Sequence, residues 1–139
     1  MSAPRAVHVL VGLLADDTGR WLVNRRRDGT HMAGFWEFPG GKRQPNEERY
    51  AALARELDEE LGIEVVDAVP LLEIAHDYPD KRVLLDVWHV RGFRGVVTAR
   101  EGQALKWITI DEFAELDLLA ADWPIVQRLR SLQPAAAAS

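Results

Sequence analysis

The chain of 139 residues contains no cysteine, which excludes disulfides, thiolate metal sites and cysteine nucleophiles. No run of about 20 apolar residues is present that could span a bilayer. Met1 to Arg5 leads straight into a strand-like stretch, without a charged leader followed by an apolar core. The expected address is therefore cytoplasmic, with no membrane partner. Basic charge is also in deficit. A net charge of −5 and a pI of about 5.3 argue against a nucleic-acid polymer as partner, because phosphate backbones are gripped by basic surfaces. There is no Walker-type loop, no GxGxxG run and no internal repeat. The 47% hydrophobic content suffices for one domain with a proper core, and the length is too short for two. Residues 1–133 are expected to form that domain, as a monomer or homodimer, with the tail PAAAAS (134–139) frayed.

Turn chemistry and apolar patterning divide the chain into alternating elements. Val7 to Ala15 reads as a buried strand, and DDTG (16–19) turns into WLVNRR (21–26), a predicted hairpin. A short strand follows at Phe35 to Phe38, then a helix opened by Pro45-Asn46, with Asn46 as N-cap and Glu47 and Glu48 in the first turn, and closed by Gly62. Strands are expected at Val65 to Val69, Leu71 to His76, Val83 to Val90 and Ala104 to Thr109. A helical turn is expected at Asp111 to Ala114 and a last helix at Pro124 to Leu132, with Pro124 at its first position and Asp122 or Trp123 capping. Strands around two helices suggest a mixed sheet sandwiched between them, an α/β/α arrangement. His8, His31, His76 and His89 lack paired ligand spacing and read as structural, and Trp88 and Trp107 as core. Trp21, Trp36 and Trp123 fit either a core or a pocket, and Trp36 or Trp123 could stack on a base.

The feature with chemical content is the stretch Gly41 to Ile63, GKRQPNEERYAALARELDEELGI. At about 100° per residue, Glu59 falls about 60° to one side of Glu56 and Glu60 about 40° to the other, while Tyr50, Leu53, Ala54, Leu57 and Leu61 form the apolar arc. Like charges at these spacings cost a helix roughly 0.2–0.5 kcal/mol per pair, and divalent metal is the natural compensation. An isolated Glu-Glu pair on a helix is ordinarily a solvated face. Here the spacing is more specific: Gly41, five residues, Glu47, seven residues, Arg55-Glu56, an aliphatic, any residue, Glu59-Glu60, any residue, Gly62 and an aliphatic. Seven such identities coincide by chance at ~10⁻⁷ or less per window.

This pattern resembles the Nudix box, complete and without substitution. The segments HMAGFWEFPGGK (31–42), DYPDK (77–81), EGQ (101–103) and DWPI (122–125) resemble the MutT branch of that family, whose members are 8-oxo-dGTP diphosphatases that remove oxidised guanine nucleotides. The resemblance implies an α/β/α Nudix fold and Mg²⁺-dependent (or Mn²⁺-dependent) hydrolysis of a nucleoside triphosphate to the monophosphate and pyrophosphate. It implies Glu59 and Glu60 as metal ligands, Glu56 as ligand and general base, Glu47 as supporting carboxylate, the Gly41 carbonyl as a further ligand, and Glu101 as a loop ligand or base. Arg55, four residues before Glu59, is expected to orient a carboxylate. A non-catalytic nucleotide-sensing domain would be expected to have lost one of these glutamates, and all are present.

For the substrate, the resemblance implies contacts from Arg26, Phe38, Lys42, Lys81 and Asp122. Where MutT proteins carry an asparagine that reads the O6 acceptor and N7–H donor of 8-oxoguanine together, this chain has Asp122, which when ionised only accepts. Either Asp122 is protonated beside Trp123, or the base binds in another pose, or the substrate differs. A carboxylate suits the amine of cytosine, so CTP and modified pyrimidine nucleotides form the alternative, which ALKW (104–107) and LDVWHV (85–90) also fit. Simple helix capping by Asp122 is the structural alternative, and a solvated loop is that for Arg25 to Arg27. Lys81 replaces an arginine of MutT.

Overall fold

The computed structural model describes residues 5–30 and 32–132; His31 and the tail 134–139 lie outside the described residues. Seven strands run in order: β1 (Arg5–Leu13), β2 (Trp21–Arg25), β3 (Trp36–Glu37), β4 (Gly40–Lys42), β5 (Glu64–Tyr78), β6 (Lys81–Arg94) and β7 (Leu105–Ile108). Helix α1 (Arg49–Leu61) separates β4 from β5, and α2 (Trp123–Leu132) closes the chain after 3-10 turns at Ile110–Glu115 and Ala120–Asp122. One sheet has the order β4-β1-β6-β5, with β1 and β6 parallel and the other neighbours antiparallel; the second is antiparallel, β3-β2-β7.

β1 is apolar on both faces because both are covered. Leu10 and Leu14 pack with Leu53, Leu57 and Leu61 of α1, and Gly12 lies on the same face, where an added Cβ would meet Leu57 Cδ1 at 2.9 Å. Val11 and Leu13 pack with Ile125, Val126 and Leu129 of α2. The predicted α/β/α sandwich is therefore present, with the arc of α1 read from periodicity facing the sheet.

Four local expectations are corrected. The predicted β1/β2 hairpin is a crossing between sheets. Both edges of β1 are taken by β4 and β6, so only Ala15 bridges to Trp21 before β2 joins β3 and β7. The strands expected on either side of Pro70 are one edge strand, β5, whose register shifts between Pro70 and Leu72; an edge bulge is where a ladder tolerates proline. Asn46 is not the helix cap. It sits at φ 64° in a turn, the N-cap position is Glu48 without a side-chain cap, and Glu47 and Glu48 precede the helix. The cause is Glu47, whose carboxylate accepts from the Gln44 backbone N–H and from Arg55, holding the turn outside the helix. Finally, α2 starts at Trp123 with Pro124 second, and the Asp122 carboxylate accepts from the Phe38 backbone N–H at 3.1 Å, so it caps no helix.

Gly62 closes α1 as expected, at φ 68° with its N–H on the Asp58 carbonyl. The start of α1 is fastened to the sheet by Asp86, a fully buried carboxylate. It takes two bonds from Arg49 at 2.6 and 2.8 Å, one from Trp88 Nε1 at 2.8 Å, and pairs with His8 Nε2 at 2.8 Å. His8 is structural in this setting, as its lack of partner spacing suggested. His76 packs on Tyr78 and His89 on Trp21.

Candidate active site

The carboxylates of α1 divide by their position relative to the apolar arc. Glu60, next to that arc, is carried into the interior and is 8% exposed, whereas Glu59, on the far side of Glu56, is exposed. Arg55 holds the outer group together. Its Nε and Nη2 bind Glu47 at 2.6 and 2.9 Å, Nη1 binds Glu56 at 2.9 Å and Glu59 at 3.2 Å, and Nη2 also donates to the Lys42 carbonyl at 3.0 Å. The Arg55 bonds and the Gln44 N–H pull the Glu47 carboxyl down to about 2, and the same pairs raise the Arg55 guanidinium. Burial instead pushes Glu56 up, and Glu60 up to about 8, with Glu37, Glu56 and Glu101 nearby adding like charge to Glu60.

The double glycine before α1 is required by close approach. A Cβ on Gly41 would lie 2.1 Å from Glu56 Oε2, and one on Gly40, at φ 152°, 1.9 Å from the Leu10 carbonyl oxygen. The Gly40 N–H donates to Glu60 Oε2 at 3.2 Å. The EGQ loop is tied to the same helix: Gln103 Nε2 donates to the Glu60 carbonyl at 3.1 Å, its Oε1 accepts from the Glu101 N–H at 3.0 Å, and Arg27 donates to the Glu101 carbonyl at 3.4 Å. Glu56, Glu60 and Glu101 thus come together around a cavity of about 190 Å³, with Arg25, Arg26 and Arg27 among its other walls. Glu47, Glu59 and Arg55 are not in that wall; they form the clamp behind it.

Oxygen donors crowded at this energetic cost have the chemistry that Mg²⁺ or Mn²⁺ selects. Among the described residues, however, no three acidic or histidine side chains converge tightly enough to hold an ion as they stand. Arg55 occupies three of these carboxylates, Glu47, Glu56 and Glu59, at once.

A second cavity, of about 400 Å³, adjoins the first and shares Arg26, Glu37 and Gly40 with it. All five residues picked out for substrate contact, Arg26, Phe38, Lys42, Lys81 and Asp122, line it. Phe38 packs on Phe113 with ring centroids 5.4 Å apart, and Lys81 Nζ lies 5.8 Å from the Tyr78 ring centre. Asp122 is 5% exposed, and burial pushes its carboxyl up to about 7. Trp36 and Trp123 line neither cavity. Both pack against the α2-side core, so the stacking role considered for them is not supported.

Glu37, Asn24 and Gln103 line these walls although the sequence reading gave them no role of their own. Glu37 lies in both cavities, bound by Arg26 Nη1 at 3.1 and 3.3 Å and raised by burial. Asn24 and Gln103 are buried polar groups beside Glu60's cavity. Their signal was present in part: Asn24 is the only polar residue in the apolar stretch 21–24, and Glu37 interrupts FWEF.

Comparison with known proteins accords with this geometry. The chain belongs to the NUDIX domain family, whose model matches residues 10–128. It is 37% identical over 102 residues to an 8-oxo-dGTP diphosphatase of Proteus vulgaris, covering 73% of this chain and 91% of that one. It is 34% identical over 131 residues to the CTP pyrophosphohydrolase of Escherichia coli K12, covering 94% and 96% respectively. A solved MutT structure, from work on Aliivibrio salmonicida and Vibrio cholerae, superposes with a TM-score of 0.80 at 30% identity over 93% of this chain and 100% of that one.

Proposed function

We propose that residues 1–133 act as one catalytic domain, a MutT-type nucleoside triphosphate pyrophosphohydrolase that converts 8-oxo-dGTP and related deoxynucleotides to the monophosphate and pyrophosphate. The observation that carries this reading is the junction of two cavities at Arg26, Glu37 and Gly40: one walled by carboxylates, the other sized for a base. The residues to hold Mg²⁺, or Mn²⁺, are Glu56, Glu59, Glu60 and Glu101 with the Gly41 carbonyl. When bound, the ion offsets the roughly four negative charges of a triphosphate and lowers the pKa of water.

The chain's own groups supply the rest. Glu56, half-buried at the cavity wall with its carboxyl raised, is placed to take the proton of the attacking water, with Glu101 nearby as the other acceptor. Water adds to phosphorus, and the anhydride bond to the leaving group breaks. Arg55 sets the orientation of Glu56 and Glu59 and releases them for metal, with Glu47 as its fixed anchor. Arg26 to Arg27 bring positive charge beside the carboxylates, where phosphate oxygens need it.

In the base cavity, a neutral Asp122 both donates and accepts, which is what the O6 and N7–H edge of 8-oxoguanine asks of it. That supports the first of the explanations raised for this aspartate. The second reading, hydrolysis of CTP or modified pyrimidine nucleotides, is favoured by the similarity to the E. coli CTP pyrophosphohydrolase over nearly the whole chain, with an ionised Asp122 accepting from the cytosine amine.

The reaction class is tested by incubating the protein with 8-oxo-dGTP and Mg²⁺ and identifying the products. Nucleoside monophosphate and pyrophosphate in equal amounts are expected, with EDTA abolishing turnover. A nucleoside diphosphate with inorganic phosphate, or turnover unaffected by EDTA, would exclude the proposed reaction.

A further inference from the structure

Asn24 carries a polar atom that the rest of the chain leaves unanswered. In β2 it follows Leu22 on the α1-facing side, and the ladder pairs it with Glu37 of β3 and Leu105 of β7. It is 5% exposed and forms part of the carboxylate cavity wall with Glu56, Glu60 and Glu101. Its Nδ2 points to Glu37 Oε2 at 3.5 Å, whereas its Oδ1 has no hydrogen-bond partner. The opposite amide orientation would set that oxygen against the Glu37 carboxylate, two acceptors face to face.

The missing partner is defined by chemistry. A buried acceptor without a donor is costly, and none of the cationic side chains of this cavity donates to it: Arg25 reaches the Gly34 carbonyl, Arg26 Glu37 and Arg27 the Glu101 carbonyl. The glutamates around it, once a bound cation keeps them ionised, only accept. A phosphate oxygen also accepts, so the triphosphate cannot satisfy Oδ1. A water or a cation can, and the carboxylates that line the same cavity favour a cation or a water held by one.

We infer that Asn24 supplies a neutral oxygen to the divalent-cation site, reaching the ion directly or through one of its waters. The inference rests on the hydrolase reading above and adds one residue to it. A neutral oxygen contributes a ligand without adding a further negative charge to a cavity that already holds Glu37, Glu56, Glu60 and Glu101. Asn24 acts on the ion and not on the nucleotide, so its effect should appear when no nucleotide is present.

Mn²⁺ binding to the metal-free, nucleotide-free protein, followed by the electron paramagnetic resonance of free Mn²⁺, tests this together with thermal melting. Asn24→Leu is expected to weaken Mn²⁺ binding about 10-fold, while the metal-free protein melts no lower than wild type, because an unpartnered buried acceptor has been removed. Asn24→Asp, which keeps the oxygen and adds charge, is expected to bind Mn²⁺ more tightly than wild type; this variant decides the matter if the leucine variant does not fold. Wild-type affinity in a folded Asn24→Leu, or unchanged affinity in Asn24→Asp, would overturn the assignment; where the leucine variant melts lower or does not fold, Asn24→Asp decides. A wild type that binds Mn²⁺ beside a leucine variant that binds equally well removes Asn24 alone. A wild type with no Mn²⁺ affinity removes the hydrolase reading with it.

Discussion

Glu60→Gln is expected to lower kcat/KM by on the order of 10²–10³-fold, comparable to losing one preorganised charge-stabilising group, while making the metal-free protein more stable. The two effects have one origin. Glu60 is 8% exposed, accepts one backbone N–H from Gly40, and faces Glu37, Glu56 and Glu101. A carboxylate placed there without a cation is held against its own solvation, which glutamine relieves at nearly the same volume. With its carboxyl raised from 4.5 to about 8, the metal-free group lowers stability at neutral pH by about 1–3 kcal/mol relative to a neutral isostere, a few degrees in melting temperature for a domain of this size. Loss of both activity and melting temperature would instead make Glu60 an ordinary structural group. Full turnover in this variant would remove it from the metal set.

Base selectivity should turn on pH near neutrality, through Asp122. Its carboxyl is pushed by burial from 3.8 up to about 7, against the opposing pull of the Phe38 N–H. Below about pH 7 the neutral acid donates and accepts, and a guanine-type edge is matched; above it the carboxylate only accepts, and a cytosine amine is matched. The ratio of kcat/KM for 8-oxo-dGTP to that for CTP is therefore expected to fall between pH 6 and 8.5, by up to about tenfold per pH unit above the transition. Stability follows the same sign. With the folded pKa above the unfolded one, the contribution of Asp122 is fully present below about 4 and is lost as pH rises through about 7. Asp122→Asn should flatten the selectivity ratio against pH and gain stability over wild type at pH 8. A ratio independent of pH in the wild type would show that Asp122 does not read the base.

The contrast between Glu60 and Asp122 shows how much the residues disclosed. The box spacing placed Glu56, Glu59 and Glu60 on one side of a helix, and its angular arithmetic already separated Glu60, beside the apolar arc, from Glu59, which the structure leaves exposed. The sandwich was legible because β1 is apolar on both faces. Less legible was anything that depends on pairing across strands. Glu37 and Asn24 become one feature only once β2 and β3 are in register, and the sheet crossing after β1 depends on β4 and β6 having claimed its edges. Local rules also named the wrong cap. Asn46 has the propensity, yet the Glu47–Arg55 pair, eight residues apart, sets where the helix begins. The ionisation of Asp122 was undecidable from its neighbours in the chain, since burial by elements far away sets it.

The central claim, that the carboxylate cavity and the Asp122 cavity together act on an oxidised guanine nucleotide, is tested most directly by comparing kcat/KM for 8-oxo-dGTP, dGTP, CTP and 5-methyl-dCTP side by side at pH 6.5 with Mg²⁺. The account predicts that 8-oxo-dGTP is hydrolysed with the highest kcat/KM of the four. A clear preference for either cytosine nucleotide at that pH would contradict it.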